Sequence, residues 1–201
     1  MAIRHWCWLL AIVAVTGCGA PPQKDTFYRL PEPGAAAPAS ATHRGPLLQV
    51  PPFSANGLVS ERALVYARAD GTALEQYNYH FWVDSPRRML QQALSAALAT
   101  SLDARVVAEP VAGAHSVRGR IERLERAAGD GAVARVALAF EVHAPHGGPA
   151  VFARRYAREL EPSDDSIAAC AAALGQASQD ILAQFATELG AQWGTITTAG
   201  E

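Results

Sequence analysis

The most regular pattern in the chain is a strict alternation of apolar and polar positions between residues 134 and 142. The apolar positions are Ala134, Val136, Leu138, Phe140 and Val142. A period of two places them on one face of a half-buried β-strand. Turn residues at 146–149 then lead to a second strand at 151–160. The two strands are therefore predicted to form an antiparallel pair.

Shorter apolar runs predict further strands nearer the N-terminus. They cover residues 27–30, 47–50, 62–68, 74–83, 104–108 and 117–124. Asp70 and Gly71 supply a turn of the kind that joins antiparallel strands, because glycine accepts positive φ angles. Gly119, inside one of the runs, indicates a β-bulge.

Two segments have the period of an amphipathic helix. In the first, Leu90, Leu94, Leu98 and Leu102 recur every four residues. Ser85 and Pro86 precede them as the N-cap and the first helical residue. The second helix begins after Ser166 and carries apolar residues up to Leu189, and Gly190 is predicted to end it.

Composition and charge narrow the class of protein. The chain has 201 residues, of which 50% are hydrophobic and 18% are charged, so one domain with a core is expected. The elements above predict an α/β fold: a layered domain with a mixed, partly antiparallel sheet of about seven strands and two main helices. The net charge is −2, which argues against a nucleic-acid partner. Three scattered cysteines predict neither a disulfide framework nor a zinc site.

The N-terminus has the form of an export signal. A short basic start is followed by an uncharged run from Trp6 to Val15, too short to span a bilayer, which needs about 20 apolar residues. Val15, Thr16, Gly17 and Cys18 then resemble the bacterial lipobox. The motif predicts signal cleavage between Gly17 and Cys18 and attachment of a diacylglycerol to the Cys18 thiol. An ordinary signal peptide cut after Ala20 is the alternative.

The predicted organisation follows from that cleavage site. Residues 1–17 form the lipoprotein signal peptide, 18–25 a lipidated tether, 26–190 the folded domain and 191–201 a tail. Because Gly19 rather than Asp follows the cysteine, the periplasmic face of the outer membrane is the expected location. The acyl chains, including palmitate, would hold the chain to that membrane.

Candidate chemistry is sparse along the rest of the chain. The nucleophile-elbow, Walker and H-E-x-x-H patterns are missing from the sequence. His143 and His146 flank a Pro-containing turn, which favours solvated side chains over a metal site. His80 and Asp84 lie close in sequence without a matching serine. We therefore expect no enzyme activity, no metal and no cofactor.

One basic cluster stands out as a candidate contact surface. Arg154 and Arg158 are predicted to share a strand face with Tyr156, and Arg and Tyr are favoured at the desolvated centres of interfaces. This strip is the candidate surface for a partner protein. Salt bridges across the sheet to acids such as Glu141 are the alternative use of the arginines.

Several short segments follow the lipobox in a characteristic order. They are Tyr28-Arg29-Leu30, Leu48-Gln49-Val50-Pro51, Arg62-Ala63-Leu64-Val65-Tyr66, and a stretch from Tyr77 through Trp82 to Pro86. A long C-terminal helix completes the pattern. Over residues 18–190 the chain resembles the ABC-type transport auxiliary lipoprotein components, the group that includes the paraquat-inducible lipoprotein component.

The resemblance implies a function without catalysis. Members work with MCE-domain proteins and with an ABC permease and ATPase, which together move lipids between membranes. This chain would then be a docking or scaffold component in the cell envelope. A lipid-tethered envelope hydrolase and an assembly lipoprotein of another outer-membrane machine are the alternatives. A homo-oligomer is left open.

Overall fold

The computed structural model describes residues 22–31, 45–68, 70–128 and 131–198. In this part of the chain nine strands form one sheet, with two helices packed against it. The strands are β1 (Thr26–Tyr28), β2 (Leu47–Gln49), β3 (Ser54–Ala55), β4 (Ala63–Ala67), β5 (Leu74–Trp82), β6 (Arg105–Val107), β7 (His115–Ala127), β8 (Val133–His143) and β9 (Phe152–Leu160). The helices are α1 (Pro86–Ser101) and α2 (Ile167–Thr198). The predicted α/β class is confirmed, with nine strands in place of about seven.

The sheet is organised around the long strand β7. One edge of β7 pairs with β8 in antiparallel register along its length, and β8 pairs in the same sense with β9. The other edge of β7 pairs in parallel with β2, β3 and β4 in turn. β5 pairs with β4 in antiparallel sense, whereas β1 on β5 and β6 on β2 are parallel. The sheet is therefore mixed, with its antiparallel half at β7–β9, as the sequence predicts.

Helix α1 begins and packs where its apolar stripe indicates. Pro86 is its first residue, and Leu90, Leu94 and Leu98 are fully buried. Ser85 holds the N-cap position, but its side chain makes no capping hydrogen bond. The helix therefore depends on the burial of its leucines more than on its cap.

Helix α2 is longer than its sequence suggests. It continues past Gly190 to Thr198, and Trp193 and Ile196 in the added turns are buried. The predicted stop at Gly190 is wrong because this glycine serves close packing: a Cβ there would lie 3.2 Å from the carbonyl oxygen of Ser101, at the end of α1. Within the described residues, neither helix combines the length and apolarity that crossing a bilayer requires.

The core is centred on a cluster of aromatic rings. Phe140 of β8 stacks on Phe185 of α2 with 4.2 Å between ring centroids, and Phe53 meets Phe140 edge-on at 5.9 Å. Phe53 fits because the facing residue of β7 is glycine. A Cβ on Gly119 would approach the Phe53 ring to 2.4 Å. Gly119 therefore marks a close approach, and the register shift in β7 lies further along, between Ile121 and Arg123.

We expect Gly119→Ala to destabilise the protein. Phe53 is fully buried against Phe140, so the ring has no room to move away from the added methyl group. The free energy of unfolding should fall by about 1–3 kcal/mol, the usual cost of overpacking a core. Chemical denaturation of the two proteins measures the difference.

Gly194→Ala is the matched control. Gly194 lies in α2, and a Cβ there would meet nothing within 4 Å. Because alanine favours helix, this variant should be as stable as the wild type or more stable by about 1 kcal/mol. Equal losses of stability in both variants would contradict the close approach at Gly119.

Candidate docking surface

The basic strip predicted from the sequence lies where β9 packs against α2. Arg154, Tyr156 and Arg158 alternate along β9 and point to the helix side of the sheet. The tyrosine is 7% exposed. The guanidinium of Arg154 lies over the ring of Phe152, 4.5 Å from its centroid. The strip thus consists of a buried aromatic edge with arginine head groups beside it.

A single carboxylate from α2 joins these side chains. The Tyr156 hydroxyl donates to Oε2 of Glu188 at 2.8 Å, and Arg154 Nε lies 3.4 Å from the same oxygen. Gln184 donates to Oε1 of Glu188 at 2.8 Å. The pKa of Glu188 is lowered, first by the Gln184 hydrogen bond and then by that of Tyr156. The pKa of the Tyr156 hydroxyl is raised, mainly by burial and then by its hydrogen bond to Glu188.

Arg158 completes this contact between strand and helix. Its guanidinium donates to Oε1 of Gln184, one turn before Glu188. The acid expected to pair with the arginines, Glu141, instead accepts from His143 at 3.2 Å. The side chains that bind the strip therefore belong to α2 and not to another strand. The sequence pattern does not show that α2 packs on β9. The head groups of both arginines remain exposed beside the helix.

The opposite face of the sheet carries a second set of charges. Arg155 pairs with Glu122 of β7, which also accepts from Arg120 at 2.8 Å. On β8, Arg135 Nε lies 2.9 Å from Glu159 of β9. These pairs link the three antiparallel strands on the face that the helices leave open.

The other residues singled out by the sequence do not converge on a reactive centre. His80 Nδ1 lies 2.8 Å from the hydroxyl of Tyr28, whereas the Asp84 carboxylate accepts from the N–H of Ser85 and lies 3.5 Å from Arg88. His80 and Asp84 therefore serve separate contacts. Across the described ranges, no three His, Cys, Asp or Glu residues are grouped to hold a metal ion.

The cysteines divide between a core position and the N-terminus. Cys170 is buried in α2, and burial raises the pKa of its thiol to about 11, which makes the thiol inert. Gly17 and Cys18, the predicted cleavage and lipid-attachment positions, lie outside the described residues.

One buried polar group was not found from the sequence. His115, at the start of β7, is 5% exposed and packs edge-on against Trp193 of α2 with 5.2 Å between ring centroids. Neither imidazole nitrogen has a hydrogen-bond partner among the described residues. Burial lowers the pKa of His115. The site was missed because Trp193 was assigned to a tail beyond the helix.

Comparison with known proteins gives the family. The profile of the ABC-type transport auxiliary lipoprotein component family matches residues 28–186. The chain belongs to this family. The match runs from the last residue of β1 into α2, and it includes Arg154, Tyr156 and Arg158 but ends before Glu188. A search of curated proteins finds no match.

Solved structures share the fold of this family member. A protein from Xanthomonas campestris is 18% identical, with a TM-score of 0.72 over 85% of this chain and 98% of its own. An uncharacterised protein is also 18% identical, with a TM-score of 0.68 over 83% of this chain and 99% of its own. The PelC dodecamer from Paraburkholderia phytofirmans is 13% identical, with a TM-score of 0.50 over 73% of this chain and 89% of its own. At these identities the likeness concerns the fold alone.

We expect acid to destabilise this auxiliary lipoprotein through His115. Because its folded-state pKa is below the unfolded value of about 6.5, the unfolded chain binds a proton more readily. The contribution of neutral His115 is therefore complete above about pH 6.5 and is lost as the pH falls. Between about pH 7 and pH 5, thermal denaturation should show Tm falling by roughly 2–4 °C more in the wild type than in His115→Phe.

The phenylalanine variant keeps a ring against Trp193 but cannot be protonated. His146→Gln is the control, since His146 is an exposed residue of the turn between β8 and β9. It should retain the pH dependence of the wild type. If the Tm of His115→Phe fell with pH as much as that of the wild type, groups other than His115 would be responsible for the loss of stability.

Proposed function

We propose that this protein is a non-catalytic docking component of an ABC/MCE-type lipid transport system, held at the periplasmic face of the outer membrane by a lipid on Cys18. The observation that carries the proposal is the family match over residues 28–186, which covers nearly the whole folded domain. Auxiliary transport lipoproteins are envelope proteins, so the proposal extends the family's description by naming the membrane, the partner and the cargo.

The N-terminal sequence supports the anchor. Val15, Thr16 and Gly17 precede Cys18 as in a lipobox. Strand β1 begins at Thr26, only eight residues after Cys18, and eight extended residues reach at most about 29 Å. A lipid on Cys18 would therefore hold the domain close to the membrane surface, within reach of a membrane-bound transporter.

The side-chain geometry supports a docking role over hydrolysis. Glu188 and Gln184 bind the strip of Arg154, Tyr156 and Arg158, so its side chains are already positioned before any partner arrives. Preorganised side chains lose little entropy on binding. The exposed arginine heads then supply charge for an acidic patch on the MCE-domain partner.

The first test is capture of the transport partners. Lipidated wild type purified from envelopes in mild detergent should carry an MCE-domain protein, a permease and an ATPase, each identified by mass spectrometry. Intact mass should show acylated Cys18 at the N-terminus of the mature chain. Cys18→Ala should lose the acyl mass and remain unprocessed or leave the membrane fraction.

Other outcomes point to the alternatives. Capture of a different outer-membrane assembly, or turnover of ester or glycoside substrates by the purified protein, would contradict the transport role.

PelC assembles as a dodecamer, and we extend self-association to this chain as part of the proposal. Native mass spectrometry of the lipidated protein measures it.

The second test concerns the strip. Charge reversal at Arg154 would place a second carboxylate beside Glu188 and destabilise the fold. A loss of partner binding could then not be separated from a loss of stability, so neutral substitutions are preferable. Arg154→Gln with Arg158→Gln should weaken MCE-partner capture about tenfold or more, since arginine side chains are frequent binding hot spots. The Tm should fall by no more than a few degrees.

Arg155→Gln is the matched control. Arg155 lies between the two arginines on β9, but its partner Glu122 is on the opposite face. This variant should capture the partner as the wild type does. Unchanged capture by the variant with Arg154→Gln and Arg158→Gln would show that these side chains join β9 to α2 but do not bind the partner.

A further inference from the structure

A group of exposed side chains lies at the edge of the sheet that β1 and β5 form, next to the predicted tether. Phe27, Phe81 and Arg62 lie together there, and Val83 follows β5, where its carbonyl oxygen accepts from Arg62; these four residues are called the aromatic patch below. Phe27 is 52% exposed and Val83 is 40% exposed. Phe27 pairs with Phe81 across β1 and β5, with 5.8 Å between ring centroids. These are large apolar side chains in contact with solvent.

The patch faces away from the core. In β1 and β5 the neighbouring positions Tyr28 and Trp82 face inward, where Trp82 is 2% exposed and Tyr28 packs against the core. Successive side chains of a strand point to opposite faces, so Phe27 and Phe81 point outward. Neither ring belongs to the buried core, so both are available for a contact outside the domain.

A fixed arginine gives the patch its amphipathic character. Arg62 donates from Nε to the carbonyl oxygen of Trp82 and from Nη2 to that of Val83, each at 3.2 Å. These bonds hold its guanidinium carbon 5.6 Å from the centroid of the Phe27 ring. Asp25 and Glu61 lie beside the same rings, so the patch combines aromatic side chains with charges of both signs. Aromatic rings beside charged groups are typical of protein segments at the level of lipid head groups.

The tether selects the surface that covers the patch. Phe27 lies nine residues after Cys18, so the patch lies within about 32 Å of the lipid attachment point. A folded domain of this size is roughly 40 Å across. Because the tether is shorter than the domain is wide, the β1 side can rest on the bilayer, whereas the side of the domain farthest from β1 cannot.

We propose that the aromatic patch rests on the phospholipid head groups of the membrane that holds the anchor. The inference depends on the Cys18 lipid of the proposed function and adds an orientation: β1 lies on the bilayer, and β9, at the opposite edge of the sheet, points away from it. Phe27 and Val83 enter the upper acyl region, and Arg62 remains among the phosphates. The domain is then held at a fixed angle instead of moving freely on its tether.

A fluorescent probe tests this contact in the full, lipidated chain. Phe27→Cys and Val83→Cys are each labelled with a nitrobenzoxadiazole maleimide in vesicles of phosphatidylethanolamine and phosphatidylglycerol. Cys170 is buried and its thiol pKa is about 11, and Cys18 is acylated, so only the introduced cysteine reacts. Both probes should become at least about twofold brighter in vesicles than in detergent-free buffer, and lipids spin-labelled near the head group should quench them.

Leu74→Cys and Val151→Cys are the matched controls. Leu74 and Val151 are 45% and 47% exposed, outside the patch. Probes there should stay dim and unquenched. Patch probes that behave like these controls in an acylated chain that floats with the vesicles would overturn the proposed contact alone. A chain without acyl mass that does not float would overturn the anchor, and with it the proposed function.

Two further outcomes would replace the membrane by another partner. Brightening that follows protein concentration without vesicles would assign the patch to a second copy of the chain. Brightening only when the captured transport partner is added would assign it to that protein. Either result contradicts the lipid contact, and using two label positions protects the test against one substitution that fails to fold.

Discussion

The ring of Phe140 joins four parts of the fold at the centre of the core. It stacks on Phe185, meets Phe53 edge-on and lies 5.9 Å from the ring of Tyr156. These contacts join β8 to α2, to the segment before β3 and to β9. Aromatic pairs in such geometries add to the free energy of burial. The position of α2 on the sheet, and so its contact with Arg154, Tyr156 and Arg158, depends on this cluster.

The cluster also explains which parts of the fold were predictable. Phe140 belongs to the alternating run of β8, and a period of two is visible in a sequence without knowledge of its partners. The leucine stripe of α1 is visible for the same reason. The two-residue strand β3 is too short to show any period, and it forms only because β7 offers it a free edge. The long elements and the three-residue strands β1, β2 and β6 were therefore predicted, whereas the two-residue strand β3 was not.

Two interpretations that involve glycine, the helix end at Gly190 and the bulge at Gly119, differ from the structure. A glycine after an apolar helix resembles a C-terminal cap, and a glycine within a strand resembles a bulge. At Gly190 and Gly119 the absence of a side chain instead leaves room for a close neighbour, the Ser101 carbonyl oxygen and the Phe53 ring respectively. Such gaps depend on residues distant in sequence. Glu188 could not be predicted as the partner of Tyr156 for the same reason. The helical period shows which face of α2 is buried, but it does not show which strand that face packs on.

The length of α2 connects the two ends of the molecule. Its 32 residues span about 48 Å. Near its start, Gly175 leaves room for the ring of Pro31, and Gln179 donates to the Pro31 carbonyl at 2.8 Å, just after β1. Near its end, Trp193 packs on His115 beside β2. The helix thus bears on the segment next to the tether, on the strip of β9 and on the far end of the sheet. Because the helix contacts each of these regions, its packing fixes the position of the β9 strip relative to the segment that follows β1.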